Sequence, residues 1–282
     1  MAQPDLEFIA RKICQERRMK FVERVGEGTF KQTFHVVGPD GLPVALKLYK
    51  SAISSPREQR EISAMLRCNH PNIARLLSVD EYVYEGMHLV TLTEEFLEGG
   101  TLTGKGEIAK AQCLAIGSSL IEAIRHTAGL DLVHRDIKPD NIMFRKDGTT
   151  PVLTDFGVAR DLLESSLTPT WAPRGPGTPF FSSPEQLNNQ KHLTDWRSDQ
   201  FALGVVLSYV TLGIHPYLPD SAPQSHVIDL VASRRGPTDR FIANTKSAGL
   251  SVIEKMVAPW PVQRYRTPLQ LATAWNSQEG AI

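Results

Sequence analysis

Apolar residues recur at helical spacing near the start of the chain, where Leu6, Ile9, Ala10, Ile13 and Cys14 alternate with charged positions. That pattern predicts a short amphipathic helix over 5–18 that packs on the body of the protein. From Met19 the period becomes strand-like. Residues 19–25, 33–37 and 43–49 are rich in β-forming side chains, the first pair joined by Gly26-Glu-Gly-Thr-Phe-Lys-Gln32 and the second by Gly38-Pro-Asp-Gly41, a turn signal. A helix is expected from Ser55-Pro-Arg-Glu58, with Ser55 as N-cap, Pro56 in the first turn and Glu58 as reciprocal cap. Ile62, Met65 and Leu66 supply its apolar stripe, and it stops before Asn69-His-Pro71 because the residue ahead of a proline disfavours α geometry.

Two further strands flank Tyr84-Glu-Gly-Met87 and end near Phe96, after which Glu98-Gly-Gly100 reads as a hinge. Beyond it the pattern is mostly helical, over 108–128, 200–212 and 250–256, with short strands near 142–145 and 151–154. The expected fold is therefore α+β and bilobal: a small β-rich N-terminal lobe with one main helix, then a larger, mostly helical lobe, with a cleft between them. The expected division is a lead-in helix over 1–18, an N-lobe over 19–97 and a C-lobe over 98–282. The Pro/Thr/Ser/Gly-dense stretch 165–184 reads as a long loop inside the second lobe, and loops of that length are functional or disordered. No internal repeat or low-complexity segment interrupts the chain.

Composition narrows the function. In 282 residues, 31 basic and 31 acidic side chains cancel, so no overall charge calls for nucleic acid or an anionic membrane. The three cysteines, Cys14, Cys68 and Cys113, are odd in number and far apart, which suits a reducing compartment and excludes a disulfide scaffold or a CxxC metal knuckle. The longest apolar run, Phe201 to Ile214, is interrupted by Ser208 and Thr211 and reads as a buried core helix, being shorter than the roughly 20 residues of a membrane span. Charged residues stand where a secretory peptide needs an apolar stretch, so a soluble cytoplasmic protein is expected.

The chemistry concentrates in Leu132-Val-His134-Arg135-Asp136-Ile-Lys138-Pro-Asp140-Asn141, followed by Asp155-Phe156-Gly157. Upstream stand Gly26-x-Gly28 between two strands, Lys47 in an apolar strand and Glu61 on the following helix; downstream stand Gly177-Thr-Pro179 and Ser183-Pro-Glu185. Glycines without Cβ let a hairpin backbone lie close over phosphates. An ammonium in an apolar strand is expensive unless paired, so Lys47 calls for an anionic partner. Asn141 and Asp155 are hard oxygen donors of the kind Mg²⁺ takes, phosphates and waters completing its octahedron. His134 reads as structural.

This ordered set resembles the eukaryotic-type (Hanks-type) serine/threonine protein kinase family over about residues 19–275. The resemblance implies transfer of the ATP γ-phosphoryl to a protein Ser/Thr hydroxyl, with autophosphorylation. It implies Asp136 as base or orienter, Lys138 steadying the transferring phosphoryl, and Lys47 on the α/β-phosphates held by Glu61. The nucleotide would lie against Val25, Gly26, Glu27, Gly28, Thr33, Ala45, Lys47, Glu95, Leu97 and Met143, with Mg²⁺ on Asn141 and Asp155. His134 would pack under Phe156, Glu185 would form a buried pair with Arg264, and Asp199 would anchor the 132–141 backbone. Lys138 and Thr178 favour Ser/Thr over Tyr acceptors. Two departures stand out: Lys31 replaces the third glycine of the loop, which implies altered ATP affinity, and Glu94 occupies the gatekeeper position. Arg135 and Arg160 could receive a phosphorylated hydroxyl from Ser165, Ser166, Thr168 or Thr170, against a solvated loop with constitutive activity. The alternatives are a pseudokinase scaffold, opposed by the presence of every catalytic position, and a small-molecule kinase of related fold, opposed by the Gly177 to Glu185 segment.

Overall fold

The computed structural model describes residues 5–27, 31–49, 62–63, 65–66, 68–156 and 179–279. Gly28, the Ser55 to Glu58 cap, Glu61, Gly157, Arg160, the hydroxyls of 165–170 and the Gly177-Thr178 pair lie outside the described residues. Those described fall into two compact units, one running to His70 and resuming over Ala74–Leu97, the other comprising Pro71–Ile73, Glu98–Phe156 and the chain from Pro179 onward.

The first unit is one antiparallel sheet of β1 (Lys20–Glu27), β2 (Lys31–Val37), β3 (Pro43–Tyr49), β4 (Leu76–Tyr84) and β5 (Met87–Glu95), in the order β1-β2-β3-β5-β4. The β4–β5 connection is a two-residue turn in which Glu85 and Gly86 both adopt positive φ, 49° and 80°, as this hairpin type demands. Pairing partners share a face, so Phe34, Val36, Val44, Leu46 and Leu48 line one side of β2 and β3. That side is roofed by α1 (Leu6–Glu16), whose Leu6, Ile9, Ala10, Ile13 and Cys14 are buried against it together with Leu89. Each large aliphatic side chain sealed in this way contributes about 1.5–3 kcal/mol. Asp5 caps α1 through Glu7 N–H, while Arg17 pairs with Asp80 at 2.8 Å and Tyr82 donates to Glu16 at 3.0 Å. The sequence placed this helix and its buried stripe correctly. Its stripe for the next helix needs one correction: Ile62 and Met65 are buried, but Leu66 is 45% exposed. Met65 already closes the stripe, and one more residue turns Leu66 about 100° away.

The second unit is helical apart from the hairpin β6 (Ile142–Phe144) and β7 (Pro151–Leu153). After the single turn α2 (Leu102–Lys105), its core is α3 (Lys110–Ala128) packed on α5 (Trp196–Leu212) and α9 (Pro268–Glu279), with α4 (Pro184–Leu187), α6 (Val227–Ala232), α7 (Asp239–Ala248) and α8 (Val252–Met256) around it. The predicted core helix is α5: every residue from Ser198 to Ser208 is buried. It starts four residues ahead of the predicted 200, where Asp195 caps it through Arg197 N–H at 2.8 Å. The α3–α9 contact depends on Gly117. A Cβ there would fall 2.1 Å from the Trp275 ring, whose Nε1–H donates to the Leu114 carbonyl at 3.1 Å. Among the described residues no helix is long and apolar enough to cross a membrane.

Candidate active site

In the second unit the site is built on α5. Asp199 lies in its first turn, fully buried, and accepts from the backbone N–H of His134 and of Arg135, each at 2.8 Å. Burial pushes the Asp199 carboxyl up to about 7, while the two amides and the Arg135 charge pull the other way. Arg135 takes a left-handed backbone, φ 67°, and Gln186 on α4 donates to its carbonyl at 2.8 Å. The buried His134 ring is held at both nitrogens. Asp136 N–H donates to Nδ1 at 3.3 Å, which leaves the proton on Nε2, and Nε2 donates to the Thr154 carbonyl at 2.9 Å. Desolvation holds this imidazole below its usual pKa, so it stays neutral and packs against Phe156, ring centroids 4.4 Å apart. His134 is thus scaffold.

That scaffold presents three side chains to one another. Lys138 Nζ donates to Asp136 Oδ2 at 2.9 Å, and Asn141 Nδ2 donates to the same oxygen at 3.0 Å and to the Asp136 carbonyl at 2.8 Å. Both donors fix the carboxylate plane through one oxygen, and Oδ1 has no partner among the described residues. Asn141 is buried in a short 3₁₀ turn, Pro139–Asn141, and its carbonyl accepts from Thr154 N–H at 2.9 Å. This bond fixes the chain just beyond β7, where Asp155 takes a φ of 58° that is rare for a residue with a side chain. Left-handed Arg135 and Asp155 are strained positions of the kind that gathers at functional sites. Asp140, exposed, accepts from Thr103 at 2.9 Å. Met143 lies on β6, bridged to Thr101.

In the first unit the sheet face opposite α1 carries Thr33, Ala45 and Lys47 of the predicted nucleotide-side residues. Thr33 pairs with Lys47, Lys47 with Leu92, and Ala45 with both His35 and Glu94, so all six side chains share that face. Gly26 pairs with Thr33, and Val25 and Glu27 are exposed on the same strand. Glu95 accepts from Arg75 N–H at 3.1 Å, and Leu97 is buried. Lys47 and Glu94 form a buried ion pair, Nζ to Oε2, of 2.5 Å. The sequence reading had not foreseen this partner; only the register, which sets Glu94 diagonally from Lys47, puts them in reach. It also missed Gln186 and Thr154, since polar residues that hold a backbone carry no motif of their own.

Over residues 19–275 the chain matches the protein kinase domain family. It belongs to that family. The kinase domain is 30% identical over 219 residues to the serine/threonine-protein kinase PknB of Mycolicibacterium smegmatis, covering 76% of this chain and 34% of the relative. A probable serine/threonine-protein kinase of Clostridium perfringens is 27% identical over 237 residues, 81% of this chain and 33% of the relative. The chain thus spans about a third of the length of these curated relatives. Its fold matches the solved kinase domain of Mycobacterium tuberculosis PknI, with a TM-score of 0.67 at 22% identity over 92% of this chain and 96% of that one. It also matches Rad53 residues 1–466 in complex with AMP-PNP, with a TM-score of 0.69 at 21% identity over 95% of this chain and 69% of that one. The kinase domain is α+β, a five-stranded antiparallel sheet followed by a helical unit, as expected from sequence.

Members of this family use ATP and Mg²⁺. Among the described residues no three or more His, Cys, Asp or Glu side chains converge as a protein-only metal cage. The donors present fit a different arrangement. Asn141 uses its side-chain nitrogen on Asp136, which leaves its side-chain oxygen to a cation, while its backbone carbonyl ties it to Thr154, the neighbour of Asp155. An amide and a carboxylate oxygen suit Mg²⁺, which binds through few protein ligands plus phosphate and water.

Proposed function

We propose that this kinase domain transfers the γ-phosphoryl of ATP to a serine or threonine hydroxyl of a protein. What carries the reading is the hydrogen-bonded set of Asp136, Lys138 and Asn141 on a loop anchored by Asp199, in a chain of this family. Asp136 accepts the acceptor hydroxyl's proton at Oδ1 while Lys138 and Asn141 hold Oδ2, so the hydroxyl oxygen is aimed as the bond to phosphorus forms and the β–γ bridge breaks. Lys138 also faces the charge on the transferring phosphoryl. Asn141 and Asp155 would hold Mg²⁺, which when bound neutralises charge on the polyphosphate.

In the first unit, Lys47 would take the α/β-phosphates, with Glu61 as a carboxylate partner from the helix, and Val25, Gly26, Glu27 and Gly28 would cover them. Thr33 and Ala45 would offer a shallow surface to the base and Glu95 and Leu97 its edge contacts. A cytoplasmic setting fits three free, buried thiols.

The test is incubation with Mg²⁺, labelled ATP and a panel of test proteins, followed by phosphoamino-acid analysis. Label on serine or threonine is expected, and Asp136→Asn should lower it by about a hundredfold or more. Equal labelling by the variant, or none by the natural protein, would overturn the assignment, the second outcome leaving the pseudokinase scaffold.

A further inference from the structure

The Lys47–Glu94 pair sits at the centre of a sheet. Glu94 lies on β5, flanked by β3 and β4 through its pairs with Ala45 and Leu76, and the side chains of Lys47 and Glu94 are 6% and 11% exposed. Carboxylates seldom occupy a central strand, and a buried pair of this kind is seldom needed for stability, since apolar groups of like volume do as well. Around the pair the same face carries Thr33, His35, Ala45 and Leu92, none of them charged like Lys47 and Glu94. The pair therefore calls for a functional explanation.

Lys47 is the cation assigned above to the nucleotide phosphates, and this inference rests on that assignment. An ammonium has three donors, so it can serve Glu94 and a phosphate together. But with Glu94 at 2.5 Å the pair is neutral overall, and an arriving phosphate meets the Glu94 charge as well as the Lys47 charge. We propose that Glu94 is a built-in competitor for the nucleotide phosphates, a positioning residue whose carboxylate holds the Lys47 ammonium and weakens binding through the phosphates while leaving recognition of the base alone.

Glu94→Gln removes the charge and keeps an acceptor in the same place. Calorimetric titration of the whole chain with adenosine, ADP and a non-hydrolysable ATP analogue, each with Mg²⁺, separates base from phosphate binding. The variant should bind ADP and the analogue about tenfold more tightly, with adenosine affinity unchanged. In the Lys47→Met background the gain should shrink to less than about threefold, because the competition runs through Lys47. Should Glu94→Gln fail to fold, Glu94→Asp, whose carboxylate is withdrawn by one methylene, should show an intermediate gain. A variant that shifts adenosine and the analogue alike, or weakens the analogue, overturns the proposal. Natural protein that binds nucleotide but transfers no phosphoryl group overturns the kinase reading and leaves this inference standing; natural protein that binds no nucleotide overturns both.

Discussion

The two units each bury an ion pair, and the pairs differ in kind. In the helical unit Arg264 and Glu185 are both wholly inaccessible. The guanidinium donates to both Glu185 oxygens at 2.7 and 3.0 Å and to the carbonyls of Ala258 and Arg197 at 2.8 and 2.9 Å, and it lies over the Phe201 ring. Glu185 also accepts from Ser198 at 2.7 Å. Burial alone would raise this carboxyl, yet the Arg264 hydrogen bonds and charge hold it below its ordinary value. In the sheet unit Glu94 meets Lys47 through one oxygen, and the cation is a rotatable ammonium on a flexible stem rather than a fixed fork. A saturated, forked pair ties segments together. An ammonium pair with residual exposure can exchange its partner, which is what a ligand needs.

The largest effect should come from breaking the saturated pair. Arg264→Met leaves the Glu185 charge buried without its cation and takes a donor from two backbone carbonyls, and urea denaturation should show a loss of about 3–5 kcal/mol. The double replacement Lys47→Met with Glu94→Leu should cost about 1 kcal/mol or less while abolishing phosphoryl transfer, since both charges of this pair are removed together. If both replacements cost the same, the two pairs do the same structural work and the distinction fails.

Between these in size lies a pH effect confined to the helical unit. His215 is buried, with Nε2 against the Phe180 carbonyl at 3.0 Å and Nδ1 accepting from Tyr217 N–H at 3.2 Å. Desolvation lowers its pKa to about 4 from an ordinary 6.5. The unfolded chain therefore takes up a proton that the folded chain refuses. The contribution is fully present above pH 6.5 and is lost as pH falls toward 4, amounting to about 3 kcal/mol. Denaturation of His215→Asn beside the natural protein at pH 7.5 and 5 checks this: the difference between the two should shrink at the lower pH.

Much of the fold was readable before any coordinates. The stripe of α1, the strand alternation and the Gly-rich turns are local patterns, and they marked all five strands of the sheet and the buried helix α5. The helices α6, α7 and α9 were not marked: α6 is six residues long, too short for a helical period to show, α7 buries only Phe241 and Thr245, and exposed Leu269 sits near the start of α9. At the site, motif residues such as Asp136, Lys138, Asn141 and Asp199 were legible because their types and order are diagnostic. Glu94 as partner of Lys47 was not, being 47 residues away and brought near only by strand register. Gln186 was invisible for the same reason, since its contact with the Arg135 carbonyl is long-range and uses no special chemistry.

The roof over the sheet gives the chain two different boundaries. The family match starts at Met19, after α1 has ended at Glu16, yet five α1 side chains complete the interior of the sheet unit. A fragment trimmed to the family limit would keep every residue assigned to chemistry and would bare an oily surface to water. Where homology begins and where a stable folding unit begins are separate questions in this chain.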